Sequence, residues 1–311
     1  MDDLGRAAGG EDGFEGNAQS FRIVASIAVS DARDGEGQAI KGLNLTRRTL
    51  NGILKYPWAH GTRGRSKNKW GFYSTEKDIF EWVRTSTPAG ARSLIAEIMD
   101  WADDITFAIH DLLDFYCAGR VPIDRCKGEQ SGERSHLTKG MFQRKVQWLR
   151  EKAHYENALT EIIQWFPFEP DQRYTGSFED RAKLYDFSTV LIRMLTSTRA
   201  IRLEGATRSV IVDTDARRLV EVLKQFIWEY VIENPDLAVP QNGQRVAVRR
   251  VFQELLDASS AKRFYLFPTQ YQETISKATK SEYRVRIVAD CVSGMTEKEL
   301  IGFYRRLLGH A

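Results

Sequence analysis

The stretch RSLIAEIMDWADDITFAIHDLLDFYC, residues 92–117, constrains this chain more than any other. It reads as one long helix. Wound at about 3.6 residues per turn, it places Asp100, Asp103, Asp104, Asp111 and Asp114 within an arc of roughly 100°, with Phe107 in the middle. The rest of the circumference carries Trp101, Ala102, Ile105, Ala108, Ile109, Leu112, Leu113, Phe115 and Tyr116. A helix that is apolar on most sides is a buried helix, so its polar face is expected to line a cleft. Aspartate is a poor interior helix former, and like charges three or four residues apart repel by a few tenths of a kcal/mol. The stripe therefore has two readings. It is a solvated acidic face, or a face balanced by cations: a metal, or arginines and lysines from elsewhere in the fold.

The chain has 311 residues, 42% hydrophobic and 28% charged, enough for a sizeable core and one or two domains. A formal net charge of +3 is too small to argue for a nucleic-acid or acidic partner. Cys117, Cys126 and Cys291 have no metal-type spacing, and three cysteines cannot all pair, which fits a reduced cytoplasmic protein. No apolar run approaches the roughly 20 residues of a membrane span, and no secretory signal opens the chain.

In chain order, residues 1–13 read as a flexible polar segment. A helix is expected over 14–29, capped by Asn17 or Ser20, then a polar loop over 30–38 and a helix over 43–55 ended by Tyr56-Pro57. The basic, Gly-rich stretch 59–71 reads as a solvated loop, with a phosphate or nucleic-acid contact as the functional alternative. Thr75 and Asp78 suggest a capping box for a helix through Val83. Residues 119–137 read as a long polar connection. The segment 138–165 reads as an amphipathic helix with Phe142, Val146, Leu149 and Ala153 as its apolar stripe. Helical patterns resume at 178–201, 214–233, 244–258, 279–293 and 296–308, the last opened by a Thr296/Glu299 capping box. VIVD at 210–213 is the one strand candidate. The fold class is all-α, with a single helical domain over 14–311.

The chain holds no Walker loop, dinucleotide-binding glycine pattern or nucleophile elbow. Its five histidines, His60, His110, His136, His154 and His310, have no paired zinc spacing. Four segments in order are distinctive: GFEGNAQSFRIV (13–24), GLNLTRRTLNGILKYPW (42–58), KWGFYSTEKDIFEWVR (69–84) and IMDWADDITFAIHDLLDF (98–115). Together with VADCVSGMTEKELIGFYRRLLG (288–309), they resemble the dGTPase-like deoxynucleoside triphosphate triphosphohydrolases of the HD-domain superfamily.

That resemblance implies an HD-type helical bundle, with a partial core over 14–118 and a helical C-terminal part over 138–311. It implies a dNTP substrate split into deoxynucleoside and inorganic triphosphate. It also implies a divalent metal (Mg, Mn or Fe) held by a histidine, an adjacent His-Asp pair and one later aspartate. By resemblance the later aspartate is Asp103. Phe107 stands where the family often has a tyrosine against the nucleotide. Asp111 matches a position that accepts a hydrogen bond from the deoxyribose 3′-hydroxyl. Asn17 and Gln19 resemble cleft-edge positions near the substrate, and Lys55 a phosphate contact. Homo-oligomers and single-stranded nucleic acid at a regulatory site are further partners the family suggests.

Beyond Phe107, the sequence departs from the family at the metal-binding motifs. The metal histidine, the His-Asp pair and an H-x-x-E element ought to precede FEGNAQ, yet no histidine precedes His60. The dipeptide His110-Asp111 lies on the central helix and is not the family's pair. The expectation is therefore the C-terminal part of a longer enzyme, impaired as it stands. The alternative is a non-catalytic nucleotide-binding or regulatory protein of the same fold.

Overall fold

The computed structural model describes residues 12–62, 64–66, 68–128, 131–170, 172–197, 199, 201–204 and 209–308. The segment 1–11, most of the expected N-terminal tail, lies outside them. The described chain is all-α apart from two small hairpins. It gathers into two compact units, Glu97–Ala238 and the residues on either side of it.

In the first unit, α1 (Gly16–Arg22) runs into a π-helical turn, Ile23–Ile27. The expected helix over 14–29 is thus shorter, and its cap is Glu15, whose carboxylate accepts from the backbone N–H groups of Asn17 and Ala18. The segment read as a polar loop forms a hairpin, β1 (Val29–Arg33) with β2 (Ala39–Lys41). Both strands alternate exposed and half-buried residues and carry charge, which conceals them in a hydropathy reading. Next comes α2 (Arg47–Ile53), capped by Thr46. A 3-10 turn, Ser74–Glu76, leads into α3 (Lys77–Arg84). Thr75 does not cap this helix; its hydroxyl donates to Glu76 instead.

Phe21, Leu50, Leu54, Phe72 and Val83 form one apolar cluster here. A larger cluster joins α10 (Pro235–Ser260), α11 (Thr269–Lys277), α12 (Ser281–Ser293) and α13 (Glu297–Leu308) through Val251, Phe252, Leu255, Ile275 and Val288. The expected capping box is present on α13. Thr296 N and Oγ1 donate to Glu299 Oε2 at 2.8 and 2.9 Å, and Glu299 N donates to Thr296 Oγ1 at 3.3 Å.

The second unit is built on the acidic helix. It runs as α4 (Leu94–Thr106), a π-helical turn Phe107–Asp111, and α5 (Leu112–Cys117). Around it lie α6 (Gly132–Arg144), α7 (Lys152–Trp165), α8 (Phe178–Leu195) and α9 (Thr214–Ile227). Trp101, Ile105, Ala108, Ile109, Leu112, Leu113 and Tyr116 of the acidic helix are buried, as the sequence pattern requires. Ala102, counted on the apolar side, is exposed. Trp101 Nε1 donates to Leu195 O at 3.0 Å, which satisfies the buried indole N–H on that face.

The stripe Phe142, Val146, Leu149 and Ala153 does not form. A 3-10 turn, Val146–Glu151, separates α6 from α7 and changes the period, leaving Val146 and Leu149 more than half exposed. Leu137, Met141, Trp148, Leu159 and Ile162 take the core positions instead. The connection after α5 is also shorter and more apolar than expected: Val121, Ile123 and Cys126 are buried, and α6 begins at Gly132. β4 (Ser209–Val212) matches the expected strand and pairs antiparallel with β3 (Ile201–Glu204).

Candidate functional site

The acidic helix presents one exposed ridge. With spacings of four, three and four residues, Asp103, Phe107, His110 and Asp114 are all exposed, while Asp111 is half-buried beside them. The π turn over Phe107–Asp111 inserts a wider turn at mid-ridge, so a uniform winding of 3.6 residues per turn does not describe it. His110 shares the ridge as well, two turns beyond Asp103. Its distance of three residues from Phe107 and seven from Asp103 was the available sequence signal.

The stripe is partly balanced by a cation from α9: Lys224 Nζ donates to Asp104 Oδ1 at 2.8 Å. Burial, and then the neighbouring Asp114 charge, raise the Asp111 pKa, and His110 opposes the shift. Phe107 is 40% exposed, so its ring is available for stacking.

Among the described residues, no three His, Cys, Asp or Glu side chains group to hold a metal ion. Divalent cations of the Mg, Mn or Fe type take several oxygen or nitrogen donors, and bind weakly to a single carboxylate. The residues described around Asp103 therefore do not fit a resident divalent metal.

Asn17, Gln19 and Lys55 belong to the first unit. Gln19 is 5% exposed and its Nε2 donates to Asp290 Oδ1 at 2.9 Å. Asn17 is half-buried, with its Nδ2 held by Glu15 Oε1 at 2.8 Å. Both belong to a polar cluster that ties FEGNAQ to KWGFYSTE and to the C-terminal VADCVSG.

Arg22 is the centre of that cluster. Its Nη2 donates to Asp290 Oδ2 at 2.7 Å and its Nε to both Asp290 oxygens at 3.0 and 3.1 Å, while Nη1 reaches Glu76. Burial works against the Arg22 charge, but the two carboxylates outweigh it and its pKa is raised. The Arg286 guanidinium lies 3.4 Å from the centre of the Tyr73 ring and donates to Gly13 O. Burial pushes the Tyr73 hydroxyl up to about 12, so it stays protonated while it donates to Glu15 O and accepts from Glu15 N. None of Arg22, Arg286 or Asp290 was singled out in the sequence.

Lys55 directly precedes Tyr56-Pro57-Trp58 in the chain, and these two aromatic rings meet cations of the same unit. Arg65 lies 4.6 Å from the Trp58 ring centre, and Arg92 lies 5.6 Å from that of Tyr56. Gly71 lets this loop close, because a Cβ there would lie 2.2 Å from Tyr56 O. The basic loop is therefore folded onto its own aromatics. Arg63 and Lys67 of that loop lie outside the described residues.

A family model described as the phosphohydrolase-associated domain matches residues 210–306. A deoxyguanosinetriphosphate triphosphohydrolase-like protein of Streptomyces coelicolor is 30% identical over 311 residues, which cover 96% of this chain and 70% of the relative. A protein of the same description from Corynebacterium glutamicum (strain R) is 26% identical over 305 residues, covering 93% and 68%. One from Shewanella sediminis is 28% identical over 331 residues, covering 92% and 67%.

Proposed function

This chain belongs to the deoxyguanosinetriphosphate triphosphohydrolase-like family of phosphohydrolases, and from that premise we propose that it binds a deoxynucleoside triphosphate along the ridge of its acidic helix. The reaction it serves is hydrolysis of that nucleotide, probed most simply as dGTP, to deoxynucleoside and inorganic triphosphate. The observation that carries the reading is the alignment of Asp103, Phe107 and Asp111 along one accessible side of a helix whose other side is core. In this reading the Phe107 ring packs on the nucleotide and the Asp111 carboxylate accepts from the sugar 3′-hydroxyl. Asn17 and Gln19, held by Glu15 and Asp290, act by fixing the backbone around them.

A single carboxylate, Asp103, is expected to bind a divalent metal weakly, so we expect these residues alone to hydrolyse dNTP weakly or not at all. An assay of triphosphate release from dGTP with Mn or Mg tests this. Turnover at an ordinary enzymatic rate, on the order of 1–1,000 per second, would overturn it. The same observation favours a second reading, a non-catalytic nucleotide-binding subunit. The two separate on metal dependence: the hydrolase reading requires residual turnover that needs Mn or Mg and Asp103, and the second requires binding indifferent to both.

No helix among the described residues is long and apolar enough to cross a membrane. A cytoplasmic homo-oligomer fits the rest of the reading. Phe178 and Tyr185, seven residues apart on α8, are 79% and 71% exposed and are the positions we would substitute first to probe a subunit contact. Light scattering that returned the monomer mass at micromolar concentration would contradict it.

A further inference from the structure

A cavity of about 410 Å³ lies wholly within the first unit among the C-terminal helices. Its apolar walls are Pro268, Tyr271, Met295 and Phe303, at the start of α11, the end of α12 and one side of α13. That volume falls in the range of small-molecule sites. The α13 side carries Lys298, Gly302 and Arg306, at spacings of four and four, so they form one strip about 12 Å long. Cations stand at both ends of the strip and a glycine in its middle. A Cβ at Gly302 would meet nothing closer than Arg306 Nη1 at 3.7 Å, so the glycine leaves open space under the guanidinium.

Two cations, Lys298 and Arg306, and one carboxylate, Glu299, line this cavity. The two carboxylates nearest the start of α13 are already engaged: Glu299 by Thr296, and Glu297 by the Gln244 amide at 2.6 Å. Asp290 is held by Arg22 and Gln19. Among the described residues, neither Lys298 nor Arg306 has a hydrogen bond or ion pair. An apolar hollow rimmed by two unengaged cations complements a ligand with a flat apolar body and a negative group.

We propose that this cavity binds a small organic anion. Its body lies against Tyr271, Met295 and Phe303, and its anionic group is held between Lys298 and Arg306. The site stands apart from the ridge reading and does not depend on it. A nucleoside monophosphate and an aromatic organic phosphate that is not a nucleotide present the same chemistry.

The test uses the full chain and fluorescence titration with 1-naphthyl phosphate, with uncharged 1-naphthol as control. The expected result is at least tenfold tighter binding of the phosphate, lost as salt rises. Lys298→Ala and Arg306→Ala should each weaken it several-fold, and Gly302→Leu, which fills the hollow, should abolish it while the melting temperature holds. Equal affinity for the charged and uncharged probes would overturn the proposal. So would unchanged binding in both cation variants, which is decisive even if Gly302→Leu fails to fold. Displacement of the probe by dGMP would confirm the site and assign it to nucleotides. Tight probe binding without displacement would confirm it for other organic anions.

Discussion

Asp290 is 6% exposed and accepts four hydrogen bonds, one from Gln19 and three from Arg22. Removing one partner of a buried pair costs about 3–5 kcal/mol when the other charge is left alone, and because Glu76 still compensates Arg22 the loss here falls at the lower end, about 3 kcal/mol. Asp290→Ala should therefore lower the unfolding free energy by about that amount in urea denaturation, and Gln19→Ala by about 1–3 kcal/mol. A loss below about 1 kcal/mol for Asp290→Ala would show that the cluster does not hold this unit together. FEGNAQ was legible as a motif because its residues are contiguous. Its partner Asp290 lies 271 positions from Gln19, and no local pattern links them. The same separation explains why Gln19 reads as a site residue in the sequence and as a buried tie in the fold. The ridge residues Asp103, Phe107 and Asp111 were legible because they share one helix.

At the scale of elements, what the sequence discloses depends on whether the period is constant. The burial of Ile105, Ala108, Ile109 and Leu112 follows from regular helical spacing. Ile109 is fully buried in the core of the second unit, so Ile109→Ala should cost about 2–5 kcal/mol by the same denaturation measurement. The 3-10 turn over Val146–Glu151 and the π turns over Ile23–Ile27 and Phe107–Asp111 shift the period without a proline or glycine to announce them. That is why Val146 and Leu149 were misplaced.

The cap of α13 is local, and it was readable. It also predicts a pH dependence. Hydrogen bonds from the Thr296 backbone N–H and then its hydroxyl lower the Glu299 pKa from its usual 4.5. The unfolded chain then binds more protons between the two values, so the cap's contribution is present above pH 4.5 and lost as pH falls through the folded value. The stability difference between wild type and Glu299→Gln should be largest near neutrality and shrink on acidification. A difference that grows on acidification would contradict the assignment.

For the whole molecule, the all-α class and the family were readable because helical periodicity and motif order survive without tertiary information. The division into Glu97–Ala238 and its flanks was not, since it is set by packing between distant segments and no composition change marks Ala96 or Ala238. The central claim is that this chain holds a deoxynucleoside triphosphate on the acidic helix. Its most direct test is isothermal titration of the 311-residue protein with dGTP, alongside Phe107→Ala and Asp111→Asn. The account predicts binding by the wild type and at least tenfold weaker binding, about 1.4 kcal/mol, in each variant. Wild-type binding unchanged by both substitutions, or no binding at all, would contradict it.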